Sequence, residues 1–434
     1  MATTRQDGAI PDFLRMDDAI GSDPANANKT GNWHGWPTKD LSPVHLMDDE
    51  GRVVRIRTPV MDLEGLITPT DLHYTVQHFA VPPVVATDQW ELKIHGEVKN
   101  ELTLNFDQLR RFAGRSVRTV MECSGSDATF FEYFKDEGPK PSRTQECMIL
   151  SASEWTGVPL AAVLNAAGLS DKSLYVRAVG NDQGVPATAA EGTKPFYYDK
   201  GLPIQKALHP DTILAWAQNG QLLEHLHGAP VRLLVPGWSG NWSVKWITDL
   251  EILDHMPECW YHYEFYYYGD SPEDPNKELI TTLGVKSIVT QPNDDTEEMT
   301  RGVHMVRGYA WSGAGAISEV DVSVDGGDTW HSAHIEQPRD RFMWVRWSYR
   351  WDADKAGKYN IMSRATDEVG RVQSRDPRYN NMRKNFSAIV GYPVTVKQPT
   401  AERTKPGGTH ADNRPCRCPT SPNHGAGAGA VSGI

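Results

Sequence analysis

The chain has 434 residues, too many for one ordinary core and enough for two domains with extensions. Hydrophobic residues make up 39% and charged residues 23%, with 14 Trp, 15 Tyr and 29 Pro, which fits a folded, loop-rich, aromatic-packed protein and not a disordered one. The formal net charge of -12, with no Lys/Arg cluster long enough to follow a phosphate backbone, argues against a nucleic-acid partner.

In chain order, Met1 to Asp7 lead into no apolar stretch and contain no twin arginine, so no export signal is visible. Residues 1–60 are rich in Asp, Asn, Pro and Gly and read as an extended arm. Trp90, Leu92 and Ile94 alternate with polar residues as in a strand, and Phe106 to Phe112 read as a short helix. A second strand runs through Val117, Thr119 and Met121 and ends at Cys123, where Ser124-Gly125-Ser126 supplies turn chemistry. Thr156 is placed to cap a helix whose Leu160, Val163, Leu164 and Ala167 form one apolar face. Strands return at Leu174 to Val176 and at Val231 to Val235, an α+β order without regular βαβ repetition.

The acidic, Pro-containing stretch Gln291 to Glu298 marks a change to short strands and Gly-rich turns. Val320, Val322 and Val324 alternate and stop at Asp325-Gly326-Gly327, a hairpin signal. Further strands are expected at Phe342 to Tyr349 and Tyr359 to Ala365, the spacing of a β-sandwich. The expected division is an arm at 1–60, a mixed α+β catalytic domain at 61–280, an all-β sandwich at 281–400 and a low-complexity tail at 401–434. No segment has the roughly 20 apolar residues of a membrane span, so a soluble chain is expected.

The five cysteines, Cys123, Cys147, Cys259, Cys416 and Cys418, are odd in number and form no repeated CxxC pair, against a disulfide framework or zinc ribbon. Cys416 and Cys418 fall in the tail and do not complete a metal site, while Cys147 and Cys259 read as packing residues. Taken alone, Cys123 would read the same way. Trp238, Trp242 and Trp246 recur every four residues, but Gly237 and Gly240 argue for loop packing over a helical stripe.

Neighbouring motifs change the reading of Cys123. Glu122-Cys123-Ser124-Gly125 is followed in order by Ser153 to Leu160, Gly201-Leu202-Pro203-Ile204, Ala217-Gln218-Asn219-Gly220, Pro230 to Gly237 and Ser243-Val244-Lys245-Trp246. Ala310-Trp311-Ser312-Gly313 and Val324 to Trp330 continue the series. In this collinear set the chain resembles the sulfite oxidase family of molybdopterin enzymes over roughly residues 63–396. Leu66 to Pro69 and Leu72-His73-Tyr74 point within that family to the bacterial molybdenum subunits of sulfite and sulfane dehydrogenases.

The resemblance implies a mixed molybdopterin domain followed by an immunoglobulin-like dimerisation domain, a homodimer, and a periplasmic location. It makes Cys123 the molybdenum ligand, consistent with the affinity of a soft thiolate for a redox metal. His78, Asp182, His227, Arg232, Ser243 and Lys245 match the family's cofactor contacts, with Arg232 as the phosphate-binding candidate. Arg383 matches the arginine contributed by the second domain, and the active-site tyrosine is Tyr267 or Tyr268, depending on the relative compared. Two other family arginines correspond to Val76 and Ala128.

The implied reaction is oxygen-atom transfer to a small anionic sulfur substrate, with two electrons leaving one at a time. Without Cys-x-x-Cys-His or His-Pro-Gly-Gly, no haem motif is visible, so an external acceptor such as cytochrome c is expected. The alternatives are a family member acting on a sulfoxide or a carrier-bound sulfane, and a cofactor-free binding module of the same fold.

Overall fold

The computed structural model describes residues 55–143, 146–186, 188–292, 298–336 and 340–398. The expected arm up to residue 54 and the tail with Cys416 and Cys418 lie outside them.

Alternating side chains in the first domain build two five-stranded sheets. One sheet orders its strands Leu102–Asn105, Glu91–Gly96, Ile247–Leu253, Tyr175–Gly184 and Phe196–Pro203. Only Ile247–Leu253 against Glu91–Gly96 is parallel. The other runs Gln221–Leu222, Ile213–Gln218, Leu150–Pro159 and Arg115–Glu122, with Arg232–Leu234 also paired to Ile213–Gln218. Leu92, Ile94, Leu250 and Ile252 of the first sheet share one core with Val158, Leu214 and Leu233 of the second.

The chain is richer in strand than the expected mixed fold. Among the described residues no α-helix exceeds Leu160–Ala167, in which Leu160, Val163, Leu164 and Ala167 are all fully buried as the periodicity required. Its start differs from expectation. Thr156 is not a cap but lies inside the strand Leu150–Pro159, its hydroxyl 2.8 Å from that of Ser116, and Pro159 stands at the helix start instead. Proline suits that place because it has no N–H to leave unsatisfied. The helix expected from Phe106 to Phe112 is one turn, Phe106–Leu109, opened by a capping box between Asn105 and Gln108.

In the second domain, Lys286–Gln291, Gly302–Trp311, Val345–Ala353 and His334–Ile335 form one sheet. Glu298–Thr300, Gly391–Lys397, Gly357–Asp367, Ile317–Ser323 and His331–Ser332 form the other. Val306, Val345 and Trp347 face Val320, Val322 and Ile361 across a common core. The acidic stretch after Gln291 therefore lies between two paired strands of this domain and not ahead of it. The strand expected from Phe342 starts at Val345, because Phe342, Met343 and Trp344 are buried in succession at the seam between the domains and cannot follow a two-residue period.

That seam carries the site. Val60, Met61, Leu63 and Leu72 fill a cluster with Val120, Leu150, Tyr309, Trp311 and Trp344, so residues from both domains pack against the strand Arg115–Glu122 that leads to Cys123. Tyr309 donates to the carbonyl of Leu63 at 3.0 Å, and Trp344 to that of Leu66 at 2.8 Å.

Gly157 shows how tightly the second sheet is built. At a bulge against Ala215, a Cβ on Gly157 would lie 2.1 Å from the Leu214 carbonyl oxygen. Gly157→Ala is expected to cost roughly 1–3 kcal/mol of stability in urea unfolding. A variant as stable as the parent would show that the two strands do not approach this closely.

Candidate active site

Cys123 is the first residue after the strand Arg115–Glu122. Its N–H donates to the Ile149 carbonyl at 3.0 Å, and its own carbonyl accepts from the Ser126 N–H at 2.9 Å, closing the turn that the Ser-Gly-Ser sequence anticipated. The thiol is 8% exposed and lies where two cavities meet.

The first is a narrow cleft, and all six residues expected to contact the cofactor line it: His78, Asp182, His227, Arg232, Ser243 and Lys245. They arrive from separate elements. Asp182 comes from the strand Tyr175–Gly184, His227 ends the short 3-10 turn His225–His227, and Arg232 opens the strand Arg232–Leu234. Ser243 and Lys245 follow the turn Gly240–Trp242. Trp238 and Trp242 meet edge to face at 4.7 Å, while Trp246 donates to the His225 carbonyl at 2.8 Å, so these tryptophans pack the loops and form no helical stripe.

Backbone carbonyls aim the cations. Arg232 donates to the carbonyls of His227 and Ser243, each at 2.9 Å, with its guanidinium 4.9 Å from the centre of the Trp155 ring. Its Nε has no hydrogen-bond acceptor. Lys245 donates to the carbonyls of Val76 and Leu226 at 3.2 Å and lies 4.4 Å from the centre of the Trp246 ring. Burial, then the charge of Arg232, brings the Lys245 ammonium down to about 7, and burial brings Arg232 down to about 10.

His73 and His227 stand edge to face, 5.2 Å apart. Burial pushes His73 down to about 3, and burial followed by His73 pushes His227 well below its ordinary value, so both are neutral donors or acceptors. Asp182 is raised to about 6 by burial, and its Oδ1 has no donor.

Two desolvated cations beside one carboxyl are costly unless an anion joins them. An Nε and an Oδ1 without partners add one donor and one acceptor for a polar heterocycle. This donor set fits a ligand that carries both a phosphate and a pterin-like ring.

The second cavity, of about 640 Å³, opens above Cys123. Its walls include Val76, Ala128, Ile149 and Phe265, with Arg57, Asp127, His78, Tyr266 and Lys384 among the polar groups. The Tyr266 hydroxyl lies 2.5 Å from Nε2 of His78, and the buried ammonium of Lys200 sits 4.5 Å from the Tyr266 ring centre. Burial lowers Lys200 to about 7.

Neither Tyr267 nor Tyr268 lines either cavity. Tyr267 is fully buried, and the Tyr268 hydroxyl accepts from the Asn385 side chain at 2.5 Å. Arg383 points outward to pair with Glu132 and is about half exposed. Tyr266 and Lys384, which do line the second cavity, each stand next to a residue that the sequence had singled out. The run Tyr266-Tyr267-Tyr268 and the pair Arg383-Lys384 were the available signals, but side-chain direction depends on packing.

Another cluster lies beneath the Cys123 turn. Oxygen or sulfur atoms of Glu122, Asp127 and Cys147 come within 4.8 Å of one another, as in a metal site. Lys286, from the second domain, places its ammonium 2.9 Å from Glu122 and 2.5 Å from Asp127, so the positive charge there is a lysine.

Residues 78–261 match the oxidoreductase molybdopterin binding domain, a span that includes Cys123 and all six cleft residues. Residues 277–391 match the Mo-co oxidoreductase dimerisation domain. The mitochondrial sulfite oxidase of Mus musculus is 32% identical over 334 residues, 73% of this chain and 58% of that protein. The chain belongs to the sulfite oxidase family of molybdopterin oxidoreductases.

The chain is also similar to the NADH nitrate reductase 2 of Phaseolus vulgaris, 28% identical over 87% of this chain and 46% of that protein. The chain thus spans less than two thirds of these curated relatives. The crystal structure of the sulfane dehydrogenase SoxCD from Paracoccus pantotrophus superposes with a TM-score of 0.69 at 26% identity, covering 91% of this chain and 92% of that one. No helix among the described residues of this sulfite oxidase family member is long and apolar enough to cross a membrane.

Proposed function

We propose that the chain is a molybdenum-molybdopterin enzyme that oxidises sulfite or a related sulfur compound and passes electrons to an external acceptor such as cytochrome c. The observation that carries this reading is the convergence of a buried cationic cleft and an open cavity on one cysteine thiol. In this reading Cys123 is the metal ligand, Arg232 and Lys245 hold the anionic end of the cofactor, and His78, Asp182, His227 and Ser243 fix its ring. Once bound, the molybdenum cofactor supplies oxygen-atom transfer and takes up the two electrons.

The protein's own part is positioning and proton placement. Burial of His73 and His227 keeps them uncharged, so they do not repel the two cations further. Tyr266, linked to His78, presents a hydroxyl to the cavity at which a proton can be held or released. The domain at residues 277–391 would join two copies as a homodimer.

A second reading concerns the substrate. The cavity of about 640 Å³ carries the uncharged Val76 and Ala128 where the resemblance expects arginines, which favours a sulfoxide or a sulfane group held on a carrier.

Purification from a host that makes the cofactor is expected to yield bound molybdenum and pterin. Steady-state assays with sulfite, thiosulfate and sulfoxides, using cytochrome c or a dye, should then show turnover dependent on a sulfur compound. Protein free of molybdenum and pterin after such expression would sink the main reading, and efficient turnover of free sulfite would count against the second.

A further inference from the structure

We propose that Lys384 is the residue through which the second domain holds the anionic oxygens of the substrate, and that it selects by charge and not by a planar fork. The proposal rests on the reading of the Cys123 cavity as the substrate chamber.

The backbone around Lys384 is clamped on both sides. The buried Asn380 side chain accepts from the Lys384 N–H and donates to the Lys384 carbonyl, each at 2.9 Å. Next along the chain, the Asn385 N–H donates to the Ser124 carbonyl at 2.6 Å, one residue beyond Cys123. Arg383 and Asn385 adopt left-handed backbone angles, with φ of 50° and 59°. Such angles are uncommon without glycine, and the side chains of Arg383 and Lys384 go to different partners.

The divergence decides which cation faces the cavity. Arg383 turns out to Glu132, whereas Lys384 runs inward over the Phe265 ring, its Nζ 4.4 Å from the ring centre. The Lys384 Nζ and the Cys123 Sγ lie at equal distances, 3.9 Å, from the point where a Cβ on Gly125 would stand. The two atoms are therefore within 8 Å of one another, with a residue lacking a side chain between them. An oxoanion whose sulfur approaches a group bound at Cys123 lies within reach of that ammonium.

Lysine in this position changes what is recognised. A guanidinium fixes a planar pair of oxygens, while an ammonium is a point charge on a flexible stem that accepts oxoanions of different shape. Val76 and Ala128 add no charge, and of the two cations that line the cavity, Arg57 and Lys384, it is Lys384 that the second domain supplies beside Gly125.

Calorimetric titration of the holoenzyme with sulfate at low ionic strength tests the proposal directly. Lys384→Met and Lys384→Gln should weaken sulfate binding by roughly tenfold or more, as expected for loss of a charge-assisted hydrogen bond. Lys384→Arg should restore most of it. Arg383→Met, which removes the same charge one residue away, should have a clearly smaller effect. In turnover, Lys384→Met should raise KM for an anionic substrate far more than it lowers kcat.

The proposal is overturned if the parent does not bind sulfate, if binding is indifferent to Lys384, or if Arg383→Met has the larger effect. Sulfate binding that depends on Lys384 in a protein that turns over no sulfur compound would keep the anion site and reject the assigned reaction.

Discussion

Cys123→Ala protein, made in a cofactor-producing host, is expected to lose turnover by well over the roughly hundredfold that disturbing an outer-shell partner of a metal ligand costs. On the proposed assignment, removing the sulfur removes the ligand itself, and alanine offers no soft donor in its place. The fold should survive, because Cys123 contributes one buried atom at a strand end while its backbone bonds to Ile149 and Ser126 persist. Circular dichroism and unfolding close to the parent, combined with absent turnover and depleted molybdenum, would match this expectation. A variant that binds molybdenum and turns over like the parent would show that the ligand lies elsewhere.

The second large effect concerns stability. Lys286→Met leaves the buried carboxyls of Glu122 and Asp127 without the ammonium that faces both. Trp311 still donates to Glu122 and the Cys147 N–H to Asp127, but neither supplies a full charge. Breaking a buried ion pair from one side costs roughly 3–5 kcal/mol, and that loss is the expectation here. Burial already raises the Glu122 carboxyl despite Lys286, and removing the cation raises it further.

A carboxyl whose pKa is higher in the folded than in the unfolded state binds more protons when folded, so the variant should lose stability as pH rises through that range. Denaturant unfolding across pH checks both size and direction. A loss below about 1 kcal/mol, or one that grows as pH falls, would contradict the account.

That the proposed metal ligand and cofactor contacts would stand together was legible from residue types in order. Cys123, Arg232 and Lys245 stand in short motifs whose backbone brings them together, and the cleft collects all six expected contacts. The apolar face of Leu160–Ala167 was equally legible, since a 3.6-residue period acts locally. Thr156 was misread because a hydroxyl before an apolar run looks like a cap whether or not a strand continues through it. The start of Val345–Ala353 was misread because Phe342 to Trp344 are buried by the other domain, which a local pattern does not register.

By itself the sequence pointed to the family and to the set of residues that the cleft brings together, because those depend on motifs in fixed order. Only the tertiary structure decided which neighbour in a run of similar residues faces the chamber. Tyr266 and Lys384 line it while Tyr267, Tyr268 and Arg383 do not. The backbone there is held by left-handed angles, by the local clamp of Asn380 on Lys384, and by Asn385, which bonds to Tyr268 at a separation of 117 residues.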